Sequence, residues 1–182
     1  RSRGLGDVYK RQMSKSVNLY VVVPCYNEEA VLHETSKQML ELFGEMKNDG
    51  LINDNSRIVF VDDGSKDKTW SIIDELTKAH TEISGIKLAK NAGHQNALFG
   101  GLMTVKDDCD CAISIDADLQ DDIHVIPDMV RNFIDGYDVV YGVRNKRDTD
   151  TFFKRTTAVG FYKLMQFMGV NIVFNHADYR LM

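Results

Sequence analysis

The chain has 182 residues, of which 43% are hydrophobic and 27% are charged, and its formal net charge is −5. These values are typical of a globular domain, and the acidic balance argues against general nucleic-acid binding, which usually needs a basic face. Cys25, Cys109 and Cys111 have no histidines beside them at metal-ligand spacing, so we expect reduced thiols rather than disulfides or a zinc site. Apolar runs stay well below the ~18–20 residues of a membrane span, which predicts a soluble or peripheral protein.

Strand and helix signals alternate along the chain. Apolar, β-branched runs predict strands at residues 17–23, 57–61, 86–88, 111–115 and 137–141. Apolar residues at helical spacing predict helices at residues 28–47, 67–79, 93–105, 123–134 and 152–168. Strands separated by helices indicate βαβ units, and therefore an α/β fold with a mostly parallel sheet flanked by helices.

The two ends differ from this pattern. Residues 1–12 are polar, basic and without periodicity, so we expect a non-native or disordered leader before a single domain at residues 13–182. The last residues follow a polar cluster at 176–180 with no predicted closing element. We therefore expect the domain to be truncated at its C-terminus.

Two acids follow the fourth predicted strand. Asp116 and Asp118 are one residue apart at the end of a buried strand, where they repel each other unless a cation joins them. Carboxylates at this edge of an α/β sheet suit Mg²⁺ or Mn²⁺ held against a diphosphate. An EF-hand is excluded, because Asp121 and Pro127 stand where that loop needs Gly and Glu. Acids that cap the following helix remain the alternative.

Polar turns follow the first two predicted strands as well. Tyr26 could flank a nucleobase and Glu28 could accept from base or ribose, although Asn27 could instead cap the next helix. Asp62 and Asp63 could accept the N–H groups of uracil or guanine, although paired acids are common in turns. Ser65, which follows, could cap the next predicted helix, at residues 67–79.

Basic residues cluster late in this acidic chain, after the fifth predicted strand. They indicate either a phosphate-binding site on the same sheet edge as the acids or a solvated face. His94 could be an active-site contact or a packing residue at a helix start. The basic cluster comprises Arg144, Lys146, Arg147, Lys154 and Arg155.

Six segments taken together resemble family 2 glycosyltransferases. The resemblance is strongest to the polyprenyl-phosphate branch, which contains dolichol-phosphate mannose synthases and bactoprenol glucosyltransferases, and it runs from about residue 17 to the last residue. It implies a GT-A fold, which is a nucleotide-binding α/β domain. The segments are VVVPCYNEE (21–29), VDDGSKDKT (61–69), AKNAGHQNAL (89–98), SIDADLQDD (114–122), VYGVRNKRD (140–148) and FFKRTTAVGFYKL (152–164).

The resemblance also implies roles for individual residues. Contacts to the nucleoside are implied for Pro24, Tyr26, Glu28, Val61 and Asp63, with Asp62 beside them. The metal and diphosphate site is implied for Asp116, Ala117, Asp118 and Gln120, and Arg144 is implied to reach the phosphates. The lipid phosphate is implied to contact Lys154 and Arg155, with Asp178 and Arg180 on the acceptor side. That last motif usually reads Gly-Asp-Phe-Arg, whereas this chain has Ala177 and Tyr179.

The resemblance, together with the acidic residues after the fourth strand, implies an inverting glycosyltransferase that uses Mg²⁺ or Mn²⁺ to move a sugar from a UDP- or GDP-sugar to a polyprenyl phosphate. We expect it to act at the cytoplasmic face of a membrane, with the amphipathic residues 152–168 against the bilayer. One alternative is transfer to a sugar hydroxyl with Asp178 as the base. The others are a nucleotidyltransferase, which normally has a Gly-rich phosphate loop, and a non-catalytic domain that binds nucleotide or accepts a phosphoryl group.

Overall fold

The computed structural model describes residues 16–143 and 176–182. Within these ranges strands and helices alternate through most of the chain, as the sequence predicted, and a short 3₁₀ helix at Ile123–Val125 precedes the fourth α-helix. The predicted helix at 152–168 lies outside the described residues. The elements in chain order are β1 (Leu19–Cys25), α1 (Leu32–Asn48), β2 (Arg57–Asp62), α2 (Thr69–Ala79), β3 (Ile83–Lys87), α3 (His94–Val105), β4 (Cys111–Ser114), α4 (Ile126–Ile134), β5 (Val140–Val143) and β6 (His176–Leu181).

The chain divides into two compact units. The first contains the described residues up to Val140 together with Asp178–Met182, and the second covers Tyr141–Ala177. Among the helices of the described ranges, none has the length and apolar character needed to cross a bilayer. All the contacts described below lie within the first unit.

The sheet of the first unit has the strand order β3-β2-β1-β4-β6. β1 pairs in parallel with β2 on one side and with β4 on the other, and β2 pairs in parallel with β3. β6 pairs antiparallel with β4, so that Ser114 lies opposite Arg180. The predicted α/β fold with a mostly parallel sheet is thereby confirmed, and β6 is an addition that the apolar pattern did not predict.

The strand order indicates at which edge of the sheet a ligand would bind. From β1 the chain first builds outward through β2 and β3, and then returns to the other side of β1 with β4. The order therefore reverses between β1 and β4, and open α/β sheets bind ligands at such a point, beyond the carboxyl ends of the strands. The turn after β1 and the acidic turn after β4 flank this position.

The core lies between the sheet and its helices. β1 and β2 are buried along nearly their whole lengths, as expected for central parallel strands covered on both faces. Helix α3 lies close to the sheet at Gly101, where an added Cβ would lie 2.7 Å from both Val22 Cγ1 and Val61 Cγ2. Only glycine permits this approach, which also fixes the position of the helix that begins at His94.

Several local predictions were wrong. The strand predicted at 86–88 lies at Ile83–Lys87, and the strand predicted at 137–141 lies at Val140–Val143. Helix α1 begins at Leu32 rather than at residue 28, and β1 continues through Pro24 to Cys25. The proline is accommodated in this central strand because β4 pairs with β1 only as far as Val22, so the missing N–H costs no bond on that side. The tail, expected to lack a closing element, forms β6 against β4.

Candidate active site

A pocket of about 160 Å³ opens at the carboxyl end of β1. It is bounded by the turn after β1, by the turn after β2 and by the loop that leads into α3. Four of the residues predicted to contact a nucleoside line it, and so does His94. The lining residues are Pro24, Cys25, Tyr26, Glu28, Asp63, Asn91, Gly93 and His94.

The turn after β1 is held against the turn after β2 by reciprocal hydrogen bonds. Asn27 has a left-handed backbone, with φ of 57°. Its N–H donates to Ser65 Oγ at 3.0 Å, and its Oδ1 accepts the Lys66 N–H at 2.9 Å. The Glu28 N–H donates to Thr69 Oγ1 at 2.8 Å. These bonds fix the backbone that presents Tyr26 and Glu28.

This network replaces the helix caps that the sequence suggested. Helix α1 is preceded by Val31, and α2 is preceded by Lys68, in both cases without a side-chain cap. Asn27 and Ser65 therefore join two turns instead of capping their own helices. The sequence could not have indicated this pairing, because the partners are 38 and 39 residues apart.

Asp63 is buried and both of its carboxylate oxygens accept backbone N–H groups. Oδ1 accepts from Ala92 at 2.6 Å and Oδ2 from Gly93 at 2.9 Å. Beside it, Gly64 lies so close to the same loop that an added Cβ would be 2.6 Å from the Asn91 nitrogen. Asp63 thus builds one wall of the pocket by holding the loop before α3, which is a structural role that the sequence did not predict.

Asp62 is fully buried, and its Oδ1 accepts the Ser65 N–H at 3.1 Å. Its Oδ2 has no hydrogen-bond partner among the described residues. A buried carboxylate oxygen without a partner is costly, so this atom is suited to accept a donor from a bound group. Val61, another predicted contact, is buried in the core beneath α3 and is absent from the pocket lining.

The acidic turn after β4 has a defined conformation. Asp116 is half-exposed, Ala117 is buried and Asp118 is exposed. Asp118 Oδ1 accepts the Gln120 N–H at 3.1 Å, and between them Leu119 takes a left-handed backbone with φ of 54°. The carboxylates of Asp116 and Asp118 are therefore accessible, while Ala117 between them is buried in the core.

The acidic turn faces the residues of the pocket. His94 Nε2 lies 3.6 Å from Asp116 Oδ1, which joins the start of α3 to the turn. Glu28 has a pKa above its ordinary value because burial disfavours its charge and because Asp118, Asp67 and Asp116 add negative potential. The structure thus brings the carboxylates of Glu28, Asp116 and Asp118 to one side of the molecule.

The donor set fits a hard divalent cation that shares its coordination with a ligand. Asp116 and Asp118 supply accessible carboxylate oxygens, and their charges add to burial, the larger cause, in raising the pKa of Glu28. Within the described residues, however, no group of three or more His, Cys, Asp or Glu side chains is arranged to hold a metal alone. A cation at Asp116 and Asp118 would need further oxygens, such as those of a diphosphate. Gln120 is exposed in the same turn.

The structure describes only some of the residues predicted to contact the phosphates and the acceptor. Arg144, Lys154 and Arg155 lie outside the described residues, and Asp178 is described only as a backbone position in β6. Arg180 is half-buried, and its Nε has no hydrogen-bond partner among the described residues. Tyr179, the departure from the family motif, donates its hydroxyl to the Asp122 carbonyl at 3.1 Å. β6 is thereby tied to the end of the acidic turn.

Comparisons with known proteins show the family to which the chain is similar. Residues 20–182 match the model of glycosyl transferase family 2. Over 164 residues the chain is 54% identical to the uncharacterized glycosyltransferase YkoT of Bacillus subtilis, covering 90% of this chain and 49% of YkoT. It is 38% identical to the bactoprenol glucosyl transferase of Shigella phage SfV, covering 91% and 52%. The chain thus spans about half the length of the curated relatives it matches.

Solved structures share the fold. The mannosyltransferase PcManGT of Pyrobaculum calidifontis, solved with GDP-Man and Mn²⁺, aligns with a TM-score of 0.61 at 22% identity, covering 75% of this chain and 38% of PcManGT. Glucosyl-3-phosphoglycerate synthase of Mycobacterium tuberculosis, solved with Mn²⁺, UDP and phosphoglyceric acid, aligns with a TM-score of 0.57 at 18% identity, covering 100% and 60%. At these identities the likeness establishes the predicted GT-A fold.

Proposed function

Because this chain belongs to glycosyl transferase family 2, we propose that it transfers a sugar with inversion from a UDP- or GDP-sugar to a polyprenyl phosphate. Several relatives at 38% identity are bactoprenol glucosyl transferases, which supports a lipid phosphate acceptor. The observation that carries the proposal is the acidic turn of Asp116 and Asp118 beside the pocket at the switch point of the sheet.

The donor is divided between two parts of this site. Pro24, Tyr26 and Glu28 contact the nucleoside from the turn after β1. We assign Asp62 as a further acceptor for a base N–H group, because its Oδ2 has no hydrogen-bond partner among the described residues. Asp63 supports this wall through the loop before α3. Val61 supports this wall by packing in the core beneath it, and it does not line the pocket.

Asp116 and Asp118, with Gln120 beside them, hold Mg²⁺ or Mn²⁺ together with the diphosphate of the donor. When bound, the cation supplies neutralisation of the negative charge that builds on the departing diphosphate. Ala117, which lies between these two residues in the chain, is buried.

The transfer breaks one bond and forms another. An oxygen of the acceptor phosphate attacks the anomeric carbon, and the electron pair of the old bond from that carbon to oxygen leaves with the terminal phosphate of UDP or GDP. A phosphate monoester, with a second pKa of about 6, is largely dianionic at neutral pH, so the attack needs no general base. The work left to the protein is to bring two anions together.

Basic side chains serve this purpose. We assign Arg144 to the donor phosphates, and Lys154, Arg155 and Arg180 to the acceptor phosphate, with Asp178 near them. The buried Nε of Arg180 supports its place in this set, because this donor has no hydrogen-bond partner among the residues that the structure describes. A lipid acceptor places the reaction at the membrane surface, on the cytoplasmic face where nucleotide sugars are made, with residues 152–168 against the bilayer.

The test combines the protein with each of a panel of UDP- and GDP-sugars, Mn²⁺ or Mg²⁺, and undecaprenyl phosphate in detergent. The proposal expects metal-dependent release of UDP or GDP that requires the lipid phosphate, together with a glycolipid product of inverted configuration. Asp118→Ala should abolish the release. Release driven equally well by a sugar hydroxyl acceptor would point to polysaccharide synthesis, and lack of release with every donor would contradict a transferase function of this chain.

A further inference from the structure

The acidic turn, residues 116–122, is held by hydroxyl groups from two distant elements. Thr35 in the first turn of α1 is fully buried, and its Oγ1 lies 2.6 Å from the carbonyl oxygen of Ala117. At the other end of the turn, the Tyr179 hydroxyl of β6 donates to the Asp122 carbonyl at 3.1 Å. The two hydroxyls thus bracket the segment that contains Asp118.

The Thr35 hydroxyl lies within hydrogen-bond distance of two carbonyl oxygens. Besides the Ala117 carbonyl, it lies 3.0 Å from the Val31 carbonyl, the usual partner of a threonine within a helix. A hydroxyl has one proton, and the shorter distance to Ala117 indicates that the proton goes to the acidic turn. The Ala117 carbonyl would otherwise be a buried acceptor in a position where water has little access, since Ala117 is only 3% exposed.

The turn needs such support because it is strained. Leu119 has a left-handed backbone, and a non-glycine residue persists in this region only where its surroundings impose it. Without anchors, the peptide planes on either side of Ala117 could rotate toward a relaxed turn. Such a rotation would move the carboxylates of Asp116 and Asp118 relative to each other, since Ala117 is the residue between them.

We propose that Thr35 is a positioning residue, which holds the Ala117 carbonyl so that Asp116 and Asp118 keep the spacing that a divalent cation requires. Tyr179 supports the same turn from its other end. This inference rests on the proposed metal site at Asp116 and Asp118. Thr35 itself touches neither the cation nor the substrate, and it acts through the backbone of the turn.

The test measures Mn²⁺ affinity from the free Mn²⁺ signal in electron paramagnetic resonance, with and without UDP or GDP. Thr35→Val removes the hydroxyl and keeps the shape, whereas Thr35→Ser keeps the hydroxyl. Thr104→Val is the matched control, because Thr104 makes the same kind of bond within its helix, to Gly100 at 2.8 Å, away from the turn. Asp118→Asn is the reference for the metal site itself, and circular dichroism and urea unfolding report the integrity of each variant.

Thr35→Val should weaken Mn²⁺ binding by about 10-fold or more, as is usual for the loss of a group that orients metal ligands. Thr35→Ser should restore the affinity to within about 2-fold, and Thr104→Val should leave it unchanged. Tyr179→Phe should weaken binding in the same direction as Thr35→Val, and it carries the test if Thr35→Val does not fold.

The outcomes separate two failures. If Asp118→Asn abolishes Mn²⁺ binding while folded Thr35→Val and Tyr179→Phe bind as the original protein does, the positioning role is wrong and the metal site stands. If Thr35→Ser binds as weakly as Thr35→Val, a hydroxyl at this position is not enough to preserve the affinity, and the inference is again overturned. If Asp118→Asn binds Mn²⁺ normally, the metal site of the proposed function is wrong, and the role of Thr35 falls with it.

Discussion

The buried carboxylate of Asp63 accepts the backbone N–H of Gly93 at 2.9 Å and so joins the turn after β2 to the loop that begins α3. Its other oxygen accepts the N–H of Ala92. One side chain therefore satisfies two backbone donors and fixes the entrance of the helix that carries His94. The wall of the pocket depends on this charged acceptor.

Asp63→Asn should lower the free energy of unfolding by about 2–3 kcal/mol, because hydrogen bonds to a charged group are lost and an amide N–H₂ would face a backbone donor. Urea unfolding measures the change. Asp74→Asn is the control, since Asp74 is partly exposed and forms an ion pair with Lys78 on the surface of α2, where such pairs contribute little. Equal effects of the two substitutions would contradict the role of Asp63.

Two neighbouring glycines of α3 should respond in opposite directions to alanine. At Gly101 an added Cβ would meet Val22 and Val61 at 2.7 Å, so Gly101→Ala should cost about 1–3 kcal/mol through overpacking. At Gly100 nothing lies within 4 Å of the added Cβ, so Gly100→Ala should stabilise the protein by about 0.5–1 kcal/mol through helix propensity. Thermal and urea unfolding measure both. A stabilising Gly101→Ala would show that α3 does not lie against the sheet at this point.

Glu28 should make stability depend on pH. Its pKa in the folded protein lies above the ordinary value of 4.5 because of burial and the charges of Asp118, Asp67 and Asp116. A raised pKa of an acid means that ionised Glu28 destabilises the fold, and that this cost disappears as the pH falls below 4.5. Glu28→Gln should therefore raise the Tm at pH 7, with the difference shrinking toward acid pH.

The control for Glu28 is Glu41→Gln, a change at an exposed glutamate of α1. It should leave the Tm nearly unchanged across the same pH range. In the presence of Mn²⁺ and UDP or GDP, the advantage of Glu28→Gln should diminish, because the cation relieves the repulsion that the substitution removes. A Tm of Glu28→Gln equal to or below that of the original protein at pH 7 would contradict the crowding of carboxylates at this site.

The three free cysteines should differ in reactivity. Burial raises the pKa of Cys25 well above its usual range and that of Cys111 to about 12, while Cys109 is only half-buried. A raised pKa lowers the thiolate fraction, and the thiolate is the nucleophile. Iodoacetamide at pH 8 should therefore label Cys109 first, as read by mass spectrometry of the peptides. All three should label together in guanidinium chloride, and rapid labelling of Cys25 in the folded protein would contradict its burial.

The periodicity of apolar residues was sufficient to predict those helices and strands whose buried face is continuous. The helices predicted at 67–79 and 93–105 are observed at Thr69–Ala79 and His94–Val105, and the strand predicted at 57–61 is observed at Arg57–Asp62. The start of α1 was misplaced because Glu28 and Glu29 look like a first helical turn. Their backbone N–H groups instead bond to Thr69 and Asp67 across the neighbouring turn.

The placement of Asp116 and Asp118 beyond the end of a buried strand followed from the sequence, because an apolar run that meets acidic residues marks where a strand leaves the core. Hydrogen bonds between residues far apart in the chain could not be predicted in this way. The bond from Thr35 to Ala117 spans 82 residues, and no local pattern distinguishes this threonine from one that bonds within its own helix.

Local apolar patterns and side-chain chemistry were enough to predict the kinds of element, their order and the chemical type of the residues at the strand ends. Which turns meet could be learned only from the folded molecule. The reversal of strand order at β1 brings residues near positions 28, 94 and 116 together, and strand order is set by packing of the whole sheet, which no single segment encodes.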